Sequence, residues 1–388
     1  ALVSVTAAGS AFQGIALRRV SDNAYVLYAG LAANQGTWGL ITLTQAALAA
    51  HVGQTYTLDL IDSGTGGWGW LAMDSVSVSA IASADASGAT FTWDTSFGDG
   101  ATITEGVGTW KVGVGNWNDA GVNRAWANGK YAIFGGGTAG TAGTITLGGN
   151  VTPGSMTFNA PNAGTYTIDL NGYTLSVPTS YGSINGTSPT VIKDTLGTGA
   201  LVMQAGNEIF NSTDLSIEAK ITGGYDVRAI NKQLILSNNL NDFTGYVGVQ
   251  WTGPLTLLSI KNSGVPSAAG AGSEIRVGNF ASLKYIGSGD THNRTLTLYG
   301  AGTLSVASEG TGPLVFTGSI VNNNNVTFSL QGANTGANEI QSVLANNGAN
   351  VLTLQKNGTG TWVLSGVNTF TGDLDIFGGT LRLGGAGQ

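Results

Sequence analysis

Asp62 and Asp74 are the one pair of carboxylates whose context places them on adjoining strands, and Trp68 and Trp70 lie between them. An indole face flanked by carboxylates suits a sugar ring, whose C–H face stacks while its hydroxyls bond the acids. It also suits a hard cation such as Ca²⁺. These four residues are therefore the candidate carbohydrate or Ca²⁺ site. The plain alternative has Asp62 accepting turn N–H groups while the tryptophans pack a small sandwich, and it is the simpler reading. Glycoside hydrolysis needs two carboxylates facing each other across a cleft, and nothing further in the chain shapes one. Only His51 and His292 occur, far apart, so a Ser-His-Asp triad or a histidine metal centre is poorly supported. The clusters Gly64-Thr65-Gly66-Gly67 and Gly135-Gly136-Gly137 neither open a helix nor carry the Lys-Ser/Thr of a phosphate loop, so they read as turns. The expectation is a protein without catalytic residues and without an obligatory cofactor, Ca²⁺ being the one ion its chemistry would accept.

The elements that would position such residues are strands. Apolar side chains fall at every second position in Tyr56–Leu60, Gly143–Leu147, Thr165–Leu170 and Arg294–Leu298, with Gly or Asn-Gly between such segments. The Ala/Leu-rich stretch 43–50 is too short for more than a turn or two of helix. Charged residues are only 10% of the 388 and Gly numbers 62, so uncharged polar groups must cover the surface, as in stacked β-strands with ladders of like side chains. A net charge of −7 with fifteen Lys and Arg offers no basic stripe for nucleic acid. No cysteine means no disulfide framework or thiolate metal site, in keeping with an extracytoplasmic bacterial protein stabilised by repetitive hydrogen bonding. No apolar run approaches about 18 residues, so no helical membrane span is expected.

An Ala/Ser-rich stretch, 80–88, precedes a segment holding Trp93, Trp110, Trp117 and Trp126. This divides the chain into a module over 1–82, a linker and Trp-rich cap over 83–134, and a repetitive region over 135–388. The cap is expected to cover the unpaired strand edges at one end of a stack. The clearest repeat pairs 234–245 with 362–372: an apolar strand, Ser, an Asn-bearing loop, then Phe-Thr-Gly and another strand. At roughly 20–25 residues per coil, the last 250 or so residues make about ten rungs. Asn322-Asn323-Asn324-Asn325 reads as an Asn ladder or a solenoid corner.

The stretch from Leu354 through Lys356, Gly358, Gly360-Thr361-Trp362, Leu364-Ser365-Gly366, Asn368-Thr369-Phe370-Thr371-Gly372 to Gly379-Thr380-Leu381 resembles the autotransporter-associated β-strand repeat. That resemblance implies an all-β protein whose main part is a right-handed parallel β-helix, on the bacterial cell surface or released from it, with structural or adhesive duty. No outer-membrane barrel pattern lies within the chain, so self-translocation is not expected from this sequence alone. Residues 56–76 resemble the last strands of a galactose-binding-like jelly roll, which implies a small β-sandwich ahead of the helix. Only about 55 residues precede that motif, so the sandwich is expected to be incomplete, either docked on or finished by a neighbouring subunit's solenoid end or simply shortened by lost residues. The functional expectation is therefore a structural subunit of an extracellular filament, sheath or surface layer, a homopolymer built head to tail. The alternative is a surface adhesin or carbohydrate-binding protein with surface glycan as its partner.

Overall fold

The computed structural model describes residues 13–30, 56–62, 90–96, 102–178, 184–205, 207–211, 214–251 and 253–384. Among them no helix is assigned, and none is long and apolar enough to cross a membrane. From Thr90 onward the strands build a parallel β-solenoid of about ten turns. Two faces are twelve-stranded sheets. The first runs from Gly108–Trp110 to Leu374–Ile376, and the second from Val122–Arg124 to Ile320–Asn322. A third face is split into a three-stranded sheet ending at Ile221–Gly223 and a five-stranded sheet starting at Ser288–His292.

Coils stack because their inward positions repeat at the same register. On the first face Ile145, Ile168, Ile192, Ile217, Leu236 and Leu257 are successive partners across parallel pairs, and all are fully buried. On the second face Val227, Val247, Ile275 and Leu296 form a matching row. A strand whose alternate side chains are apolar can bury only one face, and closing it into a coil gives all three walls a common interior. Coil length varies at the corners. The row position of Leu215 returns at Leu234, whereas that of Pro254 returns only at Ser282, because the intervening corner carries an insertion.

At the N-terminal end of the solenoid Trp117–Asp119 and Val122–Arg124 turn back as an antiparallel pair beside Thr90–Trp93. Trp93, Trp110, Trp117 and Trp126 are buried there with Phe91 and Phe134. Trp117 contacts four of these rings at centroid distances of 4.5 to 5.5 Å.

The repeat read from sequence is out of phase by one wall. Leu234–Leu236 lies on the first face and its loop leads to the second, while Thr361–Leu364 lies on the third face and its loop leads to the first. The shared pattern encodes a strand, a corner and a strand, with Phe243 buried at one corner and Phe370 packed against the core at the other. Any wall can use that unit, so the pattern does not index which wall it is. The Asn run does form a corner. Buried Asn322 donates its amide to the carbonyls of Asn324 and Asn350, at 3.1 and 3.0 Å, and Asn325 accepts the Val351 N–H at 2.7 Å. Side-chain amides there supply the bonds that a turning backbone cannot make to itself.

Before the solenoid, Gln13–Arg19 pairs antiparallel with both Tyr25–Gly30 and Tyr56–Asp62, giving a three-stranded sheet. The remaining strands of the expected jelly roll, and the Ala/Ser-rich stretch 80–88, lie outside the described residues.

Candidate functional site

Of the four residues expected to bind sugar or Ca²⁺, Asp62 ends the strand Tyr56–Asp62 opposite Gln13. Trp68, Trp70 and Asp74 lie outside the described residues, as does His51. Among the described residues no group of three or more His, Asp or Glu is placed to hold a metal ion.

The repeat motif at the C-terminal end is occupied with structure. Lys356 takes an inward position, in register with buried Leu330, and its ammonium donates to the carbonyls of Asn357, Gly358 and Gly378 at 2.7, 3.2 and 3.0 Å. Burial holds its pKa below the usual lysine range. Gly358 sits at φ +72°, where a side chain would strain the backbone. The Trp362 indole donates to the Gln331 carbonyl of the previous coil at 2.9 Å, and Asn368 accepts the Leu344 N–H at 2.9 Å. These motif residues tie one coil to the next.

A second polar cluster surrounds the insertion after Leu257. Arg294 is fully buried and has no carboxylate partner among the described residues. It donates instead to the carbonyls of Lys261, Val265, Ala269 and Gly270 and to the Ser267 hydroxyl, at 2.7 to 3.3 Å. Burial brings its pKa down to about 10, so it stays charged at neutral pH. Lys261 pairs with Asp290, whose carboxylate also accepts the Ile260 N–H and the Tyr285 hydroxyl. A cleft of about 350 Å³ opens beside this loop, lined by Asn239, Ser259, Lys261 and Asp290 among others. That is at the low end for small-molecule sites, and its charged groups already satisfy one another.

His292 is buried two residues before Arg294, edge-on to Phe316 at 4.5 Å, and its Nε2 has no partner among the described residues. Desolvation, reinforced by the Arg294 charge, pushes its pKa from 6.5 down to about 3. A histidine held neutral in the fold takes a proton more readily when unfolded. Stability is therefore intact above pH 6.5 and falls as pH drops toward 3, by about 5 kcal/mol across that window. His292→Leu is expected to flatten this dependence, so a melting-temperature series from pH 7 to pH 4 should show a smaller acid shift than the parent. An equal shift in the variant would show that another group sets the acid limit.

The outer surface of the second face differs from the rest of the solenoid. Three outward rows run along its axis. Asp226, Tyr246 and Glu274 form one, Arg228, Gly248, Arg276 and Thr297 the next, and Ile230, Gln250, Gly278 and Tyr299 the third. The two glycines leave room for rings to lie down. A Cβ at Gly278 would come within 2.6 Å of the Tyr299 ring, and one at Gly248 within 3.2 Å of Tyr246. The Tyr299 hydroxyl reaches two coils back to Gln250, at 3.3 Å. The Arg276 guanidinium stacks 3.9 Å from the centre of Tyr246 and donates to Glu274 at 2.8 Å, and Glu274 also accepts from Thr297 at 2.6 Å. Burial raises the Glu274 carboxyl and these two bonds more than offset it, so its pKa lies below the usual range, while burial raises Asp226 and both phenols.

Where this wall ends, two aromatic residues stand on successive coils with left-handed backbone. Trp251 has φ +70° and is 46% exposed, and Phe280 has φ +65° and is 60% exposed. Bulky residues seldom adopt that conformation, which costs of order 1–3 kcal/mol, and exposed rings gain little from burial in return. Sequence reading missed this surface because its members come from four coils and converge only through register. Its single local sign was glycine at every-other-residue positions within apolar strands.

Residues 354–383 match the model of the passenger-associated-transport-repeat. Over 142 residues the chain is 39% identical to an adhesin, the BmaC autotransporter of Brucella suis biovar 1 (strain 1330); the match covers 34% of this chain and 4% of that protein. No solved structure matches significantly. The chain therefore carries an autotransporter passenger repeat on a parallel β-solenoid, and it is a cell-surface or extracellular protein.

Proposed function

We propose that the chain is part of an adhesive passenger that works by binding rather than by catalysis, with the solenoid as a stiff support for surfaces along its walls. The observation that carries this reading is the likeness to an autotransporter adhesin, joined to a solenoid whose repeat-motif residues are spent on coil-to-coil bonding. Fluorescently labelled chain added to cultured host cells is expected to bind saturably and to be displaced by unlabelled chain. Binding that is linear in concentration and not displaced on every cell type and matrix coating tried would overturn the adhesin reading.

A second reading is a structural subunit of an extracellular filament, sheath or surface layer, built head to tail. Electron microscopy of the protein as secreted decides the matter. Regular filaments with an axial repeat near one subunit length support it, and dispersed single rods overturn it.

A further inference from the structure

We propose that the outer surface of the second face, between Asp226 and Tyr299, is a binding platform for a neutral glycan chain lying along the solenoid axis. This rests on the adhesin reading and names the ligand class of the surface described above.

The first argument is shape. Tyr299 lies over Gly278, so the wall offers a flat ring face in place of a pocket, and beside it Tyr246 lies over Gly248 with the Arg276 guanidinium stacked on its ring. Parallel strands stack about 4.8 Å apart, a spacing comparable to one pyranose unit, so a sugar chain running along the axis meets a new rung at each residue. Trp251 and Phe280 border the platform at the corner. Aromatic faces take the C–H faces of sugars, and Tyr and Trp combine an apolar body with a polar tip.

The second argument is charge. Asp226 and Glu274 balance Arg228 and Arg276, and Glu274 is already bonded to Arg276. Paired ions present donors and acceptors at fixed positions without a net field, which suits hydroxyl groups. A sulfated or polyuronic chain would call for unopposed cations, and the whole molecule carries −7. A protein ligand of ordinary affinity would call for a larger apolar centre than these separated rings provide.

The test is affinity electrophoresis of the 388-residue chain in native gels containing hydroxyethyl cellulose, xylan, dextran or heparin, with Trp fluorescence as a second readout. Among the described residues Trp251 is the exposed tryptophan, the other five being buried, so a ligand on the platform should alter emission in a way that Trp251→Phe abolishes. At least one neutral polysaccharide is expected to retard the chain. Tyr299→Ala and Trp251→Ala should each weaken retardation about tenfold and together abolish it, with melting temperature close to the parent's. Retardation unchanged in the double variant, retardation by heparin alone, or none in any gel would overturn the platform. Cell binding measured in parallel separates the two readings. Saturable cell binding by the parent with no glycan retardation, or cell binding untouched by the double variant, sinks the platform and leaves the adhesin standing. Loss of saturable cell binding in the parent itself sinks the adhesin.

Discussion

Trp117→Ala is expected to unfasten the N-terminal end of the solenoid while leaving the far coils folded. The indole is fully buried and contacts Trp93 at 5.3 Å, Trp110 at 5.4 Å, Trp126 at 4.5 Å and Phe134 at 5.5 Å. Removing a ring from such a cluster costs about 3–5 kcal/mol, because rigid neighbours cannot collapse into the space. In a stack where each coil touches only its neighbours, that loss is felt locally and frays the end inward. Hydrogen exchange should show protection falling by about that amount in 90–134 while 302–384 keep theirs. Trp117→Phe should cost far less, since the Trp117 indole N–H has no partner among the described residues and its removal relieves a buried donor. Uniform loss of protection along the chain would show instead that the solenoid unfolds as one unit.

Arg294→Met is expected to break the solenoid in its middle. Five acceptors around the insertion take bonds from this one guanidinium, and methionine fills the volume without replacing a single donor. The buried Ala269 carbonyl is stranded, at about 1–3 kcal/mol, and the Gly270 carbonyl keeps only the Ser267 hydroxyl, so the total is a few kcal/mol. Arg294→Lys should recover little, because a single ammonium cannot span acceptors spread over residues 261 to 270. Limited proteolysis should cut the variant within 261–272, where the parent resists, and its thermal melt should separate into two steps. A variant with parental proteolysis and a single unchanged melt would show that the loop holds itself.

The stacking was legible because it is written locally. Alternation in Thr165–Leu170 or Arg294–Leu298 needs no partner to be read, and the Lys-x-Gly-x-Gly-Thr run at 356–361 fixes a corner by its own backbone demands. The Asn322 corner was readable for the same reason, since amides in a row can serve only a turn or a ladder. The wall on which a repeat falls was not readable: 234–245 and 362–372 look alike and sit one wall apart. Arg294 was passed over as one of fifteen scattered cations, because its acceptors lie 24 to 33 residues away and are backbone atoms of any sequence.

The sequence by itself determined that this chain is β throughout its described length, that it stacks as a parallel solenoid with a passenger repeat at residues 354–383, and that it belongs outside the cytoplasm. The strands and corners follow from side-chain period and local turn chemistry, which act over a handful of residues, while the parallel coil and the place outside the cytoplasm came with the resemblance to the autotransporter-associated β-strand repeat. Only the tertiary structure decided which side chains share a surface. Tyr246, Arg276 and Tyr299 are separated by 23 residues or more along the chain and become neighbours because parallel pairing sets Gly248 beside Arg276 and Gly278 beside Tyr299. A shift of register by one residue would turn those rings inward and the valines out, so the platform exists through the burial of Val247, Ile275 and Leu296 on the opposite side of the same strands.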